Sequence, residues 1–151
     1  YLDECGVRWI ILGTVAHRDP EFVRRACLRW PGQILVGLDA RNGKVAVDGW
    51  LQQTEVTPIE LGLELKDAGV AGFIYTDIQR DGTGAGPNVD STVALAVATQ
   101  LPVLGSGGVA TEDHIRSLRN HSSKGVHGVV VGKAILSGSM PIASALALNL
   151  R

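Results

Sequence analysis

Two side chains able to move or hold a proton stand where apolar runs of this sequence break off. Asp39 follows Gly37-Leu38 and Thr76 follows Tyr75, while Asp81-Gly82, starting five residues beyond Thr76, is taken alone only a turn signal. A carboxylate at the exit of a buried strand can act as general acid or base. A threonine there can hydrogen-bond a substrate or orient a carboxylate. Two glycine-bearing stretches suit an anion: Ser106-Gly107-Gly108-Val109 and Gly132-Lys133-Ala134. Glycine lets backbone N–H groups come close to a phosphate, and a short helix starting at Lys133 would aim its N-terminus at it. On this reading Gly107→Val weakens the anion and leaves the fold intact. Residues 40–50 read as a long loop with a turn at Asn42-Gly43. Trp50, in this polar and mobile loop, is expected to stack on a ligand. Residues 79–88 contain Gly82, Gly84 and Gly86 and read as a closing lid or ligand-contacting loop.

The elements that must position these groups alternate. Five apolar runs predict buried parallel strands: Trp9–Leu12, Ile34–Leu38, Gly72–Thr76, Val103–Leu104 and Val126–Val131. Helices are predicted from Asp19-Pro20 to Arg29, and from Thr57, with Glu60 completing a capping box, to Gly69. Others run from Asp90 or Ser91 to Thr99, from Thr111 to about Asn120, and over Met140–Leu148 after Ser139. Strand starts about 25 to 40 residues apart suit βα units, which leaves a doubly wound sheet or a closed (β/α)8 TIM barrel. Glycine-rich and polar residues follow every strand instead of the first alone. That is how barrels build a site at one rim, and it favours the barrel.

An internal repeat sharpens this. Gly6-Val7-Arg8-Trp9-Ile10-Ile11-Leu12-Gly13-Thr14 and Gly125-Val126-His127-Gly128-Val129-Val130-Val131-Gly132-Lys133 match in pattern at an offset of 119 residues. Half of a barrel of roughly 250 residues has that length. The two copies would then be the fourth and eighth strands, and Gly13-Thr14 would form half of a second phosphate site. The expectation is a single domain over residues 1–151 covering strands four to eight, with the first three absent.

Composition excludes other classes. The chain has 151 residues, 45% hydrophobic, with a net charge of −1, which gives no nucleic-acid footprint. The longest apolar run, Val126–Val131, is far too short for a bilayer, and Tyr1-Leu2-Asp3-Glu4 shows no leader pattern. Cys5 and Cys27 fit no metal spacing and read as reduced thiols packed on helices of a cytosolic protein.

The motifs taken together carry a specific resemblance. Gly37-Leu38-Asp39 with Val45-Ala46-Val47-Asp48-Gly49-Trp50, Tyr75-Thr76-Asp77-Ile78-Gln79-Arg80-Asp81-Gly82-Thr83 with Gly86-Pro87-Asn88, then Ser106–Val109 and Val131-Gly132-Lys133-Ala134 resemble the ProFAR isomerase family of histidine biosynthesis in order and spacing. The sister cyclases share some of these features, but Val131–Ala134 is similar to the isomerases. The resemblance implies a cytoplasmic enzyme performing an Amadori rearrangement of a small-molecule bisphosphate, with no metal or organic cofactor. Asp39 would be the acid, Thr76 and Asp81 supporting catalytic residues, and Trp50 part of the loop covering the substrate. Gly13, Thr14, Ser106, Gly107, Gly108, Gly132 and Lys133 would hold phosphate. The base, an aspartate ending the first strand, is not in this sequence. Departures such as Gly105, where the family often has Ala, leave the resemblance intact. Two alternatives stand beside it: a bifunctional isomerase also acting on phosphoribosyl anthranilate, and an inactive phosphate-binding barrel fragment. The complete protein is expected to be a monomer. This chain alone is expected to be inactive and to self-associate or pair with the missing strands.

Overall fold

The computed structural model describes residues 4–148; Tyr1–Asp3, part of the opening read above for a leader, lie outside them. In chain order the elements are β1 (Ile10–Leu12), α1 (Thr14–Arg18), α2 (Pro20–Arg29), β2 (Ile34–Arg41), β3 (Lys44–Val47), β4 (Gln52–Gln53) and α3 (Pro58–Leu65). There follow β5 (Gly72–Asp77), α4 (Val89–Thr99), β6 (Val103–Ser106), α5 (Glu112–Arg119), β7 (Val126–Val129), α6 (Lys133–Leu136) and α7 (Ile142–Ala147).

The helices begin where side chains satisfy their first free N–H groups. Asp19 accepts from the Phe22 N–H at 2.9 Å with Pro20 at the first position, and Thr57 and Glu60 form the expected capping box. Thr111 caps α5 through the His114 N–H. The third predicted start shifts: Asn88, not Asp90 or Ser91, is the cap, accepting from the Ser91 N–H at 3.1 Å. The last predicted helix, Met140–Leu148, begins only at Ile142, because Pro141 takes the extended capping position; Lys133–Leu136 forms the separate short helix. α1 was not foreseen, since five residues carry too little periodicity.

β1, β2, β5, β6 and β7 are parallel and adjacent in that order, so each βα unit adds its strand on the same side of the last. A doubly wound sheet reverses direction partway; this one does not. Ile34, Val36, Leu38, Ala40, Phe73, Tyr75, Val103 and Val126 form one core with Val23, Ala26, Leu61, Leu65, Leu95, Ala96 and Leu118 from the helices. Alternation along the strands therefore gives the helices one face of the sheet and leaves the other to Ile11, Gly37, Asp39 and Thr76. Ile11 on that second face is 57% exposed. The fold is thus mixed α/β around a parallel sheet, consistent with a member of a (β/α)8 barrel family. β7 ends earlier than predicted and has a register break opposite Val103/Leu104, while β6 extends to Ser106.

Residues 40–50 differ from the predicted loop. β2 continues to Arg41, and β3 returns antiparallel to it, pairing Ala40 with Val45. Asn42 (φ 50°) and Gly43 (φ 75°) make the turn, as their types predict. The hairpin forms because Val45, Ala46 and Val47 are all buried, an apolar triplet that a loop would leave in water.

Gly105 is explained by its neighbour. A β-carbon there would lie 2.7 and 2.9 Å from the two methyls of Leu118, itself only 1% exposed. Leu118 thus fills the room that a β-carbon at residue 105 would take. Gly105→Ala is expected to cost about 1–3 kcal/mol by overpacking, with Leu118→Val in the same chain recovering part of it. Urea unfolding of the single and double variants checks both.

Candidate functional site

β2, β5 and β6 set three of the expected residues in a row. Asp39 pairs with Thr76, and Thr76 with Ser106, across the parallel ladders. Such partners project from one face of the sheet, on strands about 4.8 Å apart. Leu38 and Tyr75 beside them point to the helices, so the row lies on the opposite face, at the C-terminal strand ends. Burial raises the Tyr75 phenol above its ordinary value, so that neighbour stays neutral and adds no charge.

Asp39 meets Trp50 directly. The indole Nε1–H donates to Asp39 Oδ2 at 2.8 Å, and Trp50 is 37% exposed. Thr76 is buried. Next to it Asp77, which the sequence reading left without a role, braces the 78–88 segment. Its Oδ1 accepts from the Gln79 N–H at 3.1 Å, its Oδ2 from Asn88 Nδ2 at 2.8 Å, and Arg80 Nε lies 3.6 Å away. Arg80 also donates to the carbonyls of Gly86 and Pro87, so the segment read as a lid is cross-tied. Asp77 sits inside the same Thr-Asp-Ile block as Thr76, and that position was the available signal.

Beyond the row lies a cavity of about 260 Å³. Asp81, Gly82, Ser106, Gly107, Gly108, Gly132 and Lys133 all line it. The structure therefore brings the two glycine stretches and Asp81 together. Lys133 Nζ donates to the Gly82 carbonyl at 2.8 Å, tying one wall to the other. The glycines differ in what they do. At Gly107 (φ +90°) a β-carbon would sit 2.6 Å from the Asp77 carbonyl oxygen, and at Gly108 (φ +78°) 2.6 Å from that of Gly86. These two are required by backbone packing, which overturns the expectation that Gly107→Val preserves the fold. A β-carbon on Gly132 would meet nothing within 4 Å: that glycine faces open space.

Gly13 and Thr14 are at the far side, after β1, with β2, β5 and β6 between them and β7. Gly13 precedes α1, and the Thr14 hydroxyl accepts from the Asp48 N–H at 2.9 Å. Among the described residues no group of three His, Cys, Asp or Glu side chains could hold a metal, and no helix is long and apolar enough to cross a membrane. Cys27 is buried in α2 as expected, whereas Cys5 is exposed in a turn and packs on no helix.

Known proteins share this sequence over nearly its whole length. A family model described as histidine biosynthesis protein matches residues 1–141. The chain is 51% identical over 148 residues to the 1-(5-phosphoribosyl)-5-((5-phosphoribosylamino)methylideneamino) imidazole-4-carboxamide isomerase of Rhodospirillum rubrum, covering 98% of this chain and 61% of that protein. It is 48% identical to the protein of the same name from Syntrophus aciditrophicus, with the same two coverages. A third such isomerase, from Geobacter sp. strain M21, is 48% identical over 95% of this chain and 59% of its own length. The chain spans about three-fifths of the length of these curated relatives. With a family model matched over residues 1–141 and relatives near half identity, the chain belongs to the histidine biosynthesis protein family.

Proposed function

We propose that these residues form the acid-bearing, phosphate-binding part of an isomerase that converts the aminoaldose phosphate ProFAR to its aminoketose isomer. The observation that carries this reading is the Asp39–Thr76–Ser106 row ending at a glycine-walled cavity. The relatives' name supports it, since it describes an isomerase and contains two phosphoribosyl groups. In the rearrangement an acid protonates the ring oxygen and the ring opens to an iminium. A base then takes the C2 proton, giving an enaminol that tautomerises to the ketone. Asp39 is the acid in this scheme, and the base comes from outside these residues. Thr76 and Asp81 hold the opened sugar, Trp50 covers it, and one phosphate occupies the cavity at Ser106–Gly108 and Gly132.

The five parallel strands are then the last five of an eight-stranded barrel. Among the described residues the outer edges of β1 and β7 pair with no other strand, and in the barrel those edges meet the remaining three. Turnover of ProFAR by the full-length protein, with no metal or coenzyme added, is the test. Absence of conversion by a folded preparation would remove the reading.

Gly132→Val probes the cavity without touching the packing. Its side chain enters open space, so the fold should persist while phosphate approach is blocked. A hydrogen bond to a charged group is worth about 1.5–3 kcal/mol, so loss of one should raise KM roughly 10- to 100-fold. Initial-rate kinetics, with circular dichroism to confirm folding, give the answer.

A further inference from the structure

We propose that Thr14 and Arg18 are positioning residues for the acid: from one turn of α1 they grip Asp48 and so hold Trp50 against Asp39. The inference rests on the reading of Asp39 as acid given above.

Asp48, Gly49 and Trp50 adopt φ values of 57°, 63° and 73° in succession. That left-handed region is disfavoured for residues with a β-carbon, and two of the three have one. Such backbone persists only where surrounding contacts over-determine it. The contacts are on Asp48. Its N–H donates to the Thr14 hydroxyl at 2.9 Å, and its carboxylate Oδ2 accepts from Arg18 Nη2 at 2.6 Å. Thr14 and Arg18 are four residues apart on one helix and therefore share a face. Main chain and side chain of Asp48 are thus both held from a single element.

The far end of the hairpin is tied separately, by the Asn42 N–H to Gln79 Oε1 at 3.1 Å. With both ends fixed, the hairpin can present Trp50 Nε1 to Asp39 Oδ2 in one geometry. The ion pair is partly solvated, with Arg18 58% and Asp48 24% exposed. Pairs of this kind contribute little to global stability. Here it has only to select among conformations of three residues. Its loss should therefore be felt in turnover before it is felt in folding.

The test uses the full-length protein and two readouts. The Trp50 indole N–H resonance, assigned by its disappearance in Trp50→Phe, reports the contact to Asp39. Arg18→Met should move it toward the position of a solvated indole. The same variant should lower kcat roughly 10- to 100-fold, as displaced groups do, with KM changed less than about threefold. Arg18→Lys should restore part of both, and Asp48→Asn should repeat the defect independently. An unmoved Trp50 resonance in folded Arg18→Met overturns the clasp whatever the turnover. A moved resonance with kcat within about twofold of wild type overturns its role in positioning the acid. If the wild-type protein converts no ProFAR, the acid reading and the positioning role both fall. The resonance then still decides whether the clasp holds Trp50.

Discussion

In the full-length protein, Asp39→Asn should retain only about one part in 10² to 10⁴ of the wild-type kcat, the loss typical of a missing acid or base. The substitution changes little else. Asparagine has the shape of aspartate, and its side-chain carbonyl can still accept the Trp50 indole N–H that Asp39 Oδ2 accepts at 2.8 Å. The strand pairing of residue 39 with Thr76 is main-chain and survives. What disappears is a group able to release a proton to a ring oxygen. Steady-state kinetics at saturating substrate measure the effect, and more than half of the wild-type kcat would show that the acid lies elsewhere.

Gly107→Val should be costly in a different currency. The backbone at residue 107 has φ +90°, which a β-branched side chain all but forbids. The new β-carbon would press within 2.6 Å of the Asp77 carbonyl oxygen, which already accepts from the N–H groups of Arg80 and Asp81. No flexible side chain is available to yield. Strain of about 1–3 kcal/mol and overpacking of similar size together predict a loss of about 2–6 kcal/mol. Urea unfolding checks this; a wild-type midpoint would mean that the 77–81 backbone can move aside. Gly107→Val and Gly132→Val therefore separate a glycine required by backbone packing from one whose proposed part is to leave room for phosphate.

Much of the architecture was legible because burial writes itself into residue type. Ile34–Leu38 and Gly72–Thr76 are uninterrupted apolar runs, and each was found within the strand observed. Helix starts were legible where a capping side chain was unambiguous, as at Asp19 and Thr57. They slipped at Asn88, where Asp90 and Ser91 offered equally good caps within three residues. The 40–50 segment was misjudged because Lys44 and Asp48 flank its buried triplet and make it read as polar. The candidate site divides in the same way. Asp39, Thr76 and Ser106 were visible because each follows an apolar run and stands at or near the C-terminal end of its strand. The ties that orient the loops were not: Arg18 to Asp48, Asn42 to Gln79 and Lys133 to Gly82 join residues 30, 37 and 51 positions apart. No local pattern records a contact at such separations.

The row of Asp39, Thr76 and Ser106 separates two properties that loop-built sites leave entangled. Which functional group stands at each place is decided by a single codon, while the interval between places is decided by main-chain hydrogen bonds that no side chain enters. Exchange at one of these positions therefore alters the reagent and keeps the ruler, with divisions of about 4.8 Å. A scaffold of this kind can be given new chemistry by substitution alone, for any substrate whose reacting atoms fall on those divisions.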